Sequence, residues 1–423
     1  MQPSKTIAIV DPVSTGAHLA PEFARRGWSA VAVLSGDKIP DAYVKGFRRG
    51  DFTDVLTHTG DPAATVDRLK AVDPRFVLAG AEHGVELADQ LAEQLGLPGN
   101  GTRLSRCRRD KFAMVERIRE AGLPAAASII SEDVAEIIAW AEDGERWPVV
   151  VKPVASAGSD GVAFCTTPAQ VRAAFAAIHG TVDQLGGFND RVMAQERLIG
   201  QQYFVNSVSR EGRHYIAEIW KDVRVPVGDS QVYDREELLP GDGDPQRSLV
   251  GYVEQVLDAL GIVHGPAHTE IMLTARGPVL IESGARLQGA VTPAPHAAAT
   301  GTSQVALTVD CCTEPEAFDE LPGTTYQLHK RLRVVSLIAP HDGTVAEGPA
   351  LTELGALPTL SASVRSLAAG TPVRRTVDLF SSPDHLYLLD ADPAAVERDY
   401  ARIRALERGG LYAPAAAQEA VTA

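Results

Sequence analysis

Two glutamates stand inside the most strand-like stretch of this chain. The segment HTEIMLTARGPVLIESGA joins two apolar, β-prone runs across a turn near Gly277, the pattern of an antiparallel hairpin, and places Glu270 and Glu282 on neighbouring strands. Carboxylates beside the apolar runs IML and VLI are costly to bury unless they are ion-paired or bound to a cation. Hard Mg²⁺ takes one or two carboxylates from protein and fills its octahedron with phosphate and water, so Glu270 and Glu282 are candidate metal ligands. The alternative is a plain ion pair from Arg286 to Glu282. His268, two residues before Glu270, shares its strand face by period-2 alternation. It is a candidate for orienting substrate or accepting a proton, with a hydrogen-bonded structural histidine as the alternative.

A second hairpin, QQYFVNSVSREG with RHYIAEIW, turns at Glu211 and Gly212. Two adjacent antiparallel hairpins are what a nucleotide held between sheets needs. Upstream, WPVVVKPVASAGSDGVAF puts Lys152 at the end of a β-branched strand, followed by the small residues Ser156, Gly158, Ser159 and Gly161. Such a loop lets backbone N–H groups approach phosphate oxygens while the lysine supplies a fixed charge; alone, it reads more often as an ordinary turn. Lys111 opens the helix DKFAMVERIREAG, where the dipole also favours anions, although a solvated surface lysine is the plainer reading. GxxxxGK[ST] is absent, and no clean GxGxxG follows the first strand, which disfavours P-loop and dinucleotide enzymes.

The chain opens as strand, turn, helix, strand, with TIAIV at 6 to 10 and VAVL at 31 to 34; FVLAG at 76 to 80 then leads into the helical GVELADQLAEQLG. This predicts a parallel α/β domain over residues 1–105. After about residue 310 come short strands and loops, a strand in HKRLRVVSLIAP, a helix near 393 to 407 and a loose end. At 423 residues the chain suits two or three packed subdomains. A net charge of −15 without a basic run argues against nucleic acid as a partner. The N-terminus lacks a signal-peptide core and no stretch is long enough to span a bilayer, so no membrane role and a cytoplasmic address are expected. Cys107, Cys165, Cys311 and Cys312 form no CxxC pattern and read as reduced packing thiols.

From TIAIV to about residue 310 the chain resembles the ATP-grasp superfamily, and in detail its L-amino-acid ligase (dipeptide synthetase) group. The phrases that carry the resemblance, in order, are DPVSTGAHLAPEFARRGW, AEHGVELADQLAEQLGLPGN, DKFAMVERIREAGLP, GPAHTEIMLT and GPVLIESGARLQG. The resemblance implies an α/β fold of ATP-grasp type. The N-terminal parallel domain would be followed by a small lid subdomain over 106–200 and a large subdomain over 201–412, which clamp ATP between antiparallel sheets, with a flexible tail over 413–423. It implies that Lys111 and Lys152 hold the ATP phosphates and that Ser156 to Gly161 form the flap over them. Gln195 would meet the adenine amino group, Glu196 and Leu198 would give the hinge backbone, and Met272 would pack on the adenine face. Glu270 and Glu282 would bind two Mg²⁺ ions, with Mn²⁺ as a substitute, and Arg286 would steady the transferred phosphoryl group or the substrate carboxylate.

Two positions depart from the family pattern. Gln202 falls where a ribose-binding glutamate is usual, and Gly284 where many members place an asparagine ligand. The function implied is an ADP-forming ligase that joins a carboxylate donor and an amine acceptor, both amino acids or similar molecules, through an acyl-phosphate, in the manner of dipeptide or peptide-antibiotic assembly. Glu82, His83, Arg224 and the stretch from Leu287 to Pro293 are pocket candidates, and a homodimer fits the group. The rival readings are a bicarbonate-activating carboxylase and an ATP-binding regulator without catalysis.

Overall fold

The computed structural model describes residues 5–37, 46–155, 161–182, 187–227, 230–379 and 381–415. The chain divides into two compact units. One comprises Met1–Ile219, Pro240–Pro293 and Ser303–Tyr326, and the other Trp220–Leu239, Ala294–Thr302 and Gln327–Ala423.

The first unit begins with four parallel strands, β1 (Thr6–Val10), β2 (Ser29–Leu34), β3 (Asp54–Thr57) and β4 (Phe76–Ala79), in the order β3-β2-β1-β4. β1 is paired on both edges, and every residue from Ile7 to Val10 is buried, as a near-continuous apolar run requires in a parallel sheet. Helices α1 (Leu19–Arg25), α2 (Pro62–Lys70) and α3 (Val85–Leu95) connect and follow these strands. Asp61 caps α2 through the Ala63 amide at 2.9 Å, and Gly96 ends α3 in the left-handed region at φ 66°. Ile7, Ile9, Leu19 and Phe23 share a core with Leu287, Val305 and Val309, so the segment that follows the second hairpin packs on this domain. The turn after β1 also touches the end of β4: a Cβ on Gly16 would stand 2.1 Å from the Gly80 carbonyl oxygen, a contact only glycine permits.

Next comes α4 (Lys111–Glu120), capped by Asp110 through the Ala113 amide at 2.9 Å. An antiparallel sheet follows, built from β5 (Ser128–Ser131), β6 (Val149–Pro153), β7 (Ala163–Cys165) and β8 (Val192–Glu196) in the order β5-β8-β6-β7. Helices α5 (Val134–Asp143) and α6 (Pro168–Ile178) bury Ile137, Ile138 and Val171 against Val149, Val151 and Val192 of that sheet. β9 (Gly200–Arg210) then turns through Glu211 and Gly212, at φ 52° and 72°, into β10 (Arg213–Val227), and β11 (Ser230–Leu238) follows. After α7 (Asp244–Leu260), β12 (Gly265–Thr274) and β13 (Gly277–Gly284) form the second predicted hairpin. β12 is central, pairing with β13 on one edge and β9 on the other. The α/β class and both hairpins match the expectation.

In the second unit the sheet runs from the later half of β10 through β11 to the strands Arg331–Ser336, His385–Asp390 and Leu360–Ser363. The helix Pro393–Arg408 adds Val396, Ile403 and Leu406 to its core. A charged group is built around Tyr400. Its hydroxyl donates to Asp234 at 2.7 Å, as does Arg404 Nε at 2.9 Å, and the guanidinium groups of Arg235, Arg333 and Arg404 lie 5.0, 4.8 and 5.4 Å from its ring. The strand Tyr412–Pro414 pairs with Gly343–Val345, so Ala413 and Pro414, expected in the loose tail, are held in a sheet; residues 416–423 lie outside the described residues. No helix among the described residues is long and apolar enough to cross a membrane.

Candidate active site

The register of β12 against β13 sets Glu270 directly opposite Glu282, with an irregularity immediately after it at Ile271. Like charges facing each other across a ladder are destabilising unless cations intervene. One cation is Lys111. As the first residue of α4 it is fixed by the Asp110 cap, its backbone N–H donates to the Val154 carbonyl at 3.0 Å, and its ammonium lies 3.1 Å from Glu282. The other is Lys152 on β6, whose ammonium donates to Gln195 Oε1 on β8 at 2.9 Å. Burial first, and then repulsion from Lys111, pull Lys152 down to about 8, against the attraction of Glu282 and Glu270. These four charged side chains, expected together from the sequence, come together here.

Gln202 donates from Nε2 to Glu270 Oε2 at 2.9 Å, so the residue that departs from the family pattern is joined directly to one of the two carboxylates. His268 is buried on the same strand, with Nε2 3.6 Å from Glu270 Oε1 and Nδ1 2.8 Å from Asn206 Oδ1. Phe204, across from Glu270 on β9, packs against the imidazole at a centroid distance of 5.3 Å.

Where the alternative reading puts Arg286 on Glu282, Arg286 Nε donates to Glu82 Oε2 at 2.6 Å and Lys111 lies on Glu282. Arg109, not singled out in the sequence, donates to the other oxygen of Glu82 at 2.7 Å. Burial alone would raise the Glu82 carboxyl, but Arg286, then Arg109 and Lys111, hold it down at about 2. Gly284 borders this pair: a Cβ there would stand 2.9 Å from Glu82 Oε2 and 3.2 Å from the Arg286 guanidinium carbon, so a side chain at this position would push the ends of these two flexible side chains aside.

The remaining candidates are placed as follows. Gln195 spends its carbonyl on Lys152 and donates from Nε2 to Ser128 at 3.4 Å. The Glu196 carboxylate accepts from the Ala127 amide at 3.2 Å and from Arg276 at 3.3 Å. Leu198 is half-buried between β8 and β9, and Met272 is half-buried opposite Gln202 and Val279. Gly161, at φ 68°, lies over the Pro153 ring, while Ser156, Gly158 and Ser159 fall outside the described residues. His83 sits 3.3 Å from Asp11, and burial keeps its pKa below the ordinary value despite that neighbour. In the stretch after Arg286, the Ala290 and Val291 amides donate to Ser14 and Thr15 at 3.0 and 2.9 Å. Arg224 belongs to the second unit, where it bonds Asp222 at 2.8 Å and stacks 4.0 Å from the Tyr233 ring.

The cluster thus sets Lys111, Lys152, Arg109 and Arg286 against Glu82, Glu270 and Glu282. Among the described residues no three His, Cys, Asp or Glu side chains converge on one point as a preformed cage. That donor set fits Mg²⁺, which takes few protein oxygens and keeps the rest from phosphate and water. The surplus of cationic side chains fits an anionic nucleotide.

Known proteins place the chain further. An ATP-grasp domain matches residues 145–294. Dapdiamide A synthase of Enterobacter agglomerans is 31% identical over 410 residues, spanning 95% of this chain and 96% of that protein. The crystal structure of L-amino acid ligase from Bacillus licheniformis superposes with a TM-score of 0.74 at 17% identity, covering 96% of this chain and 98% of that one. Carboxyaminoimidazole ribonucleotide synthase from Aspergillus clavatus, solved with ATP, superposes with a TM-score of 0.69 at 15% identity over 96% and 99% of the two chains. Identity at that level carries the fold alone, whereas the first relative, matched nearly end to end, carries the family. The chain belongs to the ATP-grasp superfamily, in the family of its relative dapdiamide A synthase.

Proposed function

We propose that this chain, an ADP-forming carboxylate–amine ligase by family, joins two amino acids or amino-acid-like molecules by an amide bond. A carboxylate is a poor electrophile because its charge repels an incoming amine. Transfer of the γ-phosphoryl group of ATP to one carboxylate oxygen gives an acyl-phosphate and ADP; the amine then attacks the carbonyl carbon, and phosphate leaves. Glu270 and Glu282 would hold Mg²⁺, which when bound screens the triphosphate charge. Lys111 and Lys152 grip phosphate oxygens, and Gln202 orients Glu270 or reaches the ribose.

The observation that carries the amino-acid reading is the Glu82–Arg286 pair, 2.6 Å apart and flanked by Arg109. A cation and an anion set side by side match an amino-acid zwitterion, with its ammonium on Glu82 and its carboxylate on the arginines. Bicarbonate has no cationic end for Glu82 to receive, so the pair favours ligation over the carboxylase reading. The relative named dapdiamide A synthase supports the same substrate class.

Phosphate release against a panel of amino acids, given singly and in pairs, tests the proposal, with mass spectrometry of the product. Release that requires both a carboxylate donor and an amine acceptor, with an amide in the product, is expected. Release with bicarbonate alone would sink the ligase reading, and nucleotide binding without turnover under any pairing would favour a regulator.

A further inference from the structure

Behind His268 lies a group of buried polar side chains that none of the roles above uses. Asn206 on β9 is 1% exposed. Its Nδ2 donates to Glu218 Oε2 at 3.0 Å and to Gln288 Oε1 at 2.7 Å, while its Oδ1 faces His268 Nδ1 at 2.8 Å. An amide can be turned over without changing its outline, so what fixes its sense is the partner that cannot adapt. An ionised carboxylate only accepts hydrogen bonds. Two oxygens, Glu218 Oε2 and Gln288 Oε1, take the NH₂ end of Asn206 and leave its carbonyl for the histidine. A carbonyl only accepts as well, so His268 must carry a hydrogen on Nδ1, and Nε2 is the nitrogen turned towards Glu270.

We infer that Asn206, oriented by Glu218 and Gln288, is a positioning residue that fixes the tautomer and direction of His268 beside the Glu270 carboxylate. The inference rests on the proposed function only for what the histidine serves there. Gln288 adds a link to the substrate side, because it lies two residues after Arg286 and its own amide donates to Gln304 Oε1 at 3.2 Å. Gln304 in turn donates to the Ser207 and Ala267 carbonyls at 3.1 and 2.9 Å, tying β9 to β12 at the ladder pair next to the Asn206–His268 contact. The segment that follows Arg286 and the strand that carries Glu270 are thus fastened through one amide relay.

Two measurements on the full chain test this. In ¹⁵N-histidine-labelled protein, with His268 assigned by its loss in His268→Gln, the ring should show the Nδ1–H tautomer, and this readout needs no turnover. Kinetically, Asn206→Asp sets an acceptor against Glu218. It should lower kcat and raise the Mg²⁺ concentration for half-activation by about tenfold to a hundredfold, the usual cost of losing a group that orients a metal-site ligand. Adding Glu218→Gln exchanges carboxylate and amide at constant charge, and the double variant should recover most of that loss. An Nε2–H tautomer, or a double variant no faster than Asn206→Asp, overturns the inference. Should Asn206→Asp fail to fold, the tautomer in the wild type decides alone. Absence of ligase turnover in the wild type would instead count against the proposed function and leave the tautomer result standing.

Discussion

Two clusters of buried charge, one in each unit, are built on opposite terms. Around Tyr400 every charge faces its opposite: Asp234 takes Tyr400 and Arg404, and Glu237 takes Arg235 and Arg333. Burial works against Arg235, but its hydrogen bonds to Glu237 and Asp234 hold it above its ordinary value, and burial likewise fails to lift Glu237 against Arg235 and Arg333. Each partner is kept in its charged form, which is what a fastening between sheet and helix needs. In the first unit, Glu270 stands opposite Glu282, and Lys152 is pushed towards neutrality by burial and by Lys111. Like charges share a wall there, with Lys111 set against Glu282 and Gln202 against Glu270. Charge density alone does not mark a functional site; like charges held side by side do.

Substitutions that part stability from turnover would break this contrast. The largest effect is expected from Asp234→Ala, which removes a buried carboxylate, leaves half-buried Arg404 and its neighbours without it, and should cost about 3 to 5 kcal/mol of unfolding free energy. Denaturant unfolding measures it, and the ligase rate per folded molecule should stay at the wild-type level. A fall in that rate would show that the Tyr400 cluster is not merely a fastening. Lys152→Met should do the reverse, lowering kcat by about a hundredfold or more, while the unfolding free energy stays level or rises because a disfavoured buried ammonium is gone. A destabilised Lys152→Met protein would place Lys152 among the structural ions.

The smallest effect is a proton. Lys152 in the free protein loses its charge as pH rises through about 8, well below its ordinary 10.5, and phosphate oxygens brought beside it favour the charged form again. ATP binding should therefore take up a fraction of a proton near and above pH 8, and affinity should decline as pH climbs through that range. Calorimetry in two buffers of different ionisation heat reads the uptake; it should persist in Asp234→Ala and vanish in Lys152→Met. The unfolded chain keeps this proton up to about 10.5, so it binds more protons than the folded chain between about 8 and 10.5, and this group's contribution to stability rises with pH there.

Much of this was legible in residue order. The run TIAIV, the alternation around Gly277 and the turn at Glu211–Gly212 announce their strands because one period governs each. Lys152, Glu270 and Glu282 stood out because charge at the edge of apolar runs needs a reason, and Lys111 because it opens a helix, although a solvated lysine is the plainer reading. Pairings between distant segments left no such trace. Arg109 looked like one more arginine in RCRRDK, and only the fold brings it to Glu82, 27 positions away. Asn206 in FVNSV carries no signal of its own, and its partners Glu218, Gln288 and His268 meet it through the fold rather than proximity in the chain. In the last third, the strands Leu360–Ser363 and Pro372–Val373 are too short for a period to emerge.

The bond from the Lys111 amide to the Val154 carbonyl joins the first turn of α4 to the chain just past β6, two residues beyond Lys152. Lys111 and Lys152 are therefore yoked, although 41 positions separate them in the chain. The start of α4 and the end of β6 make one continuous wall beside the two carboxylates, so that a change in either element displaces the footing of both ammonium groups.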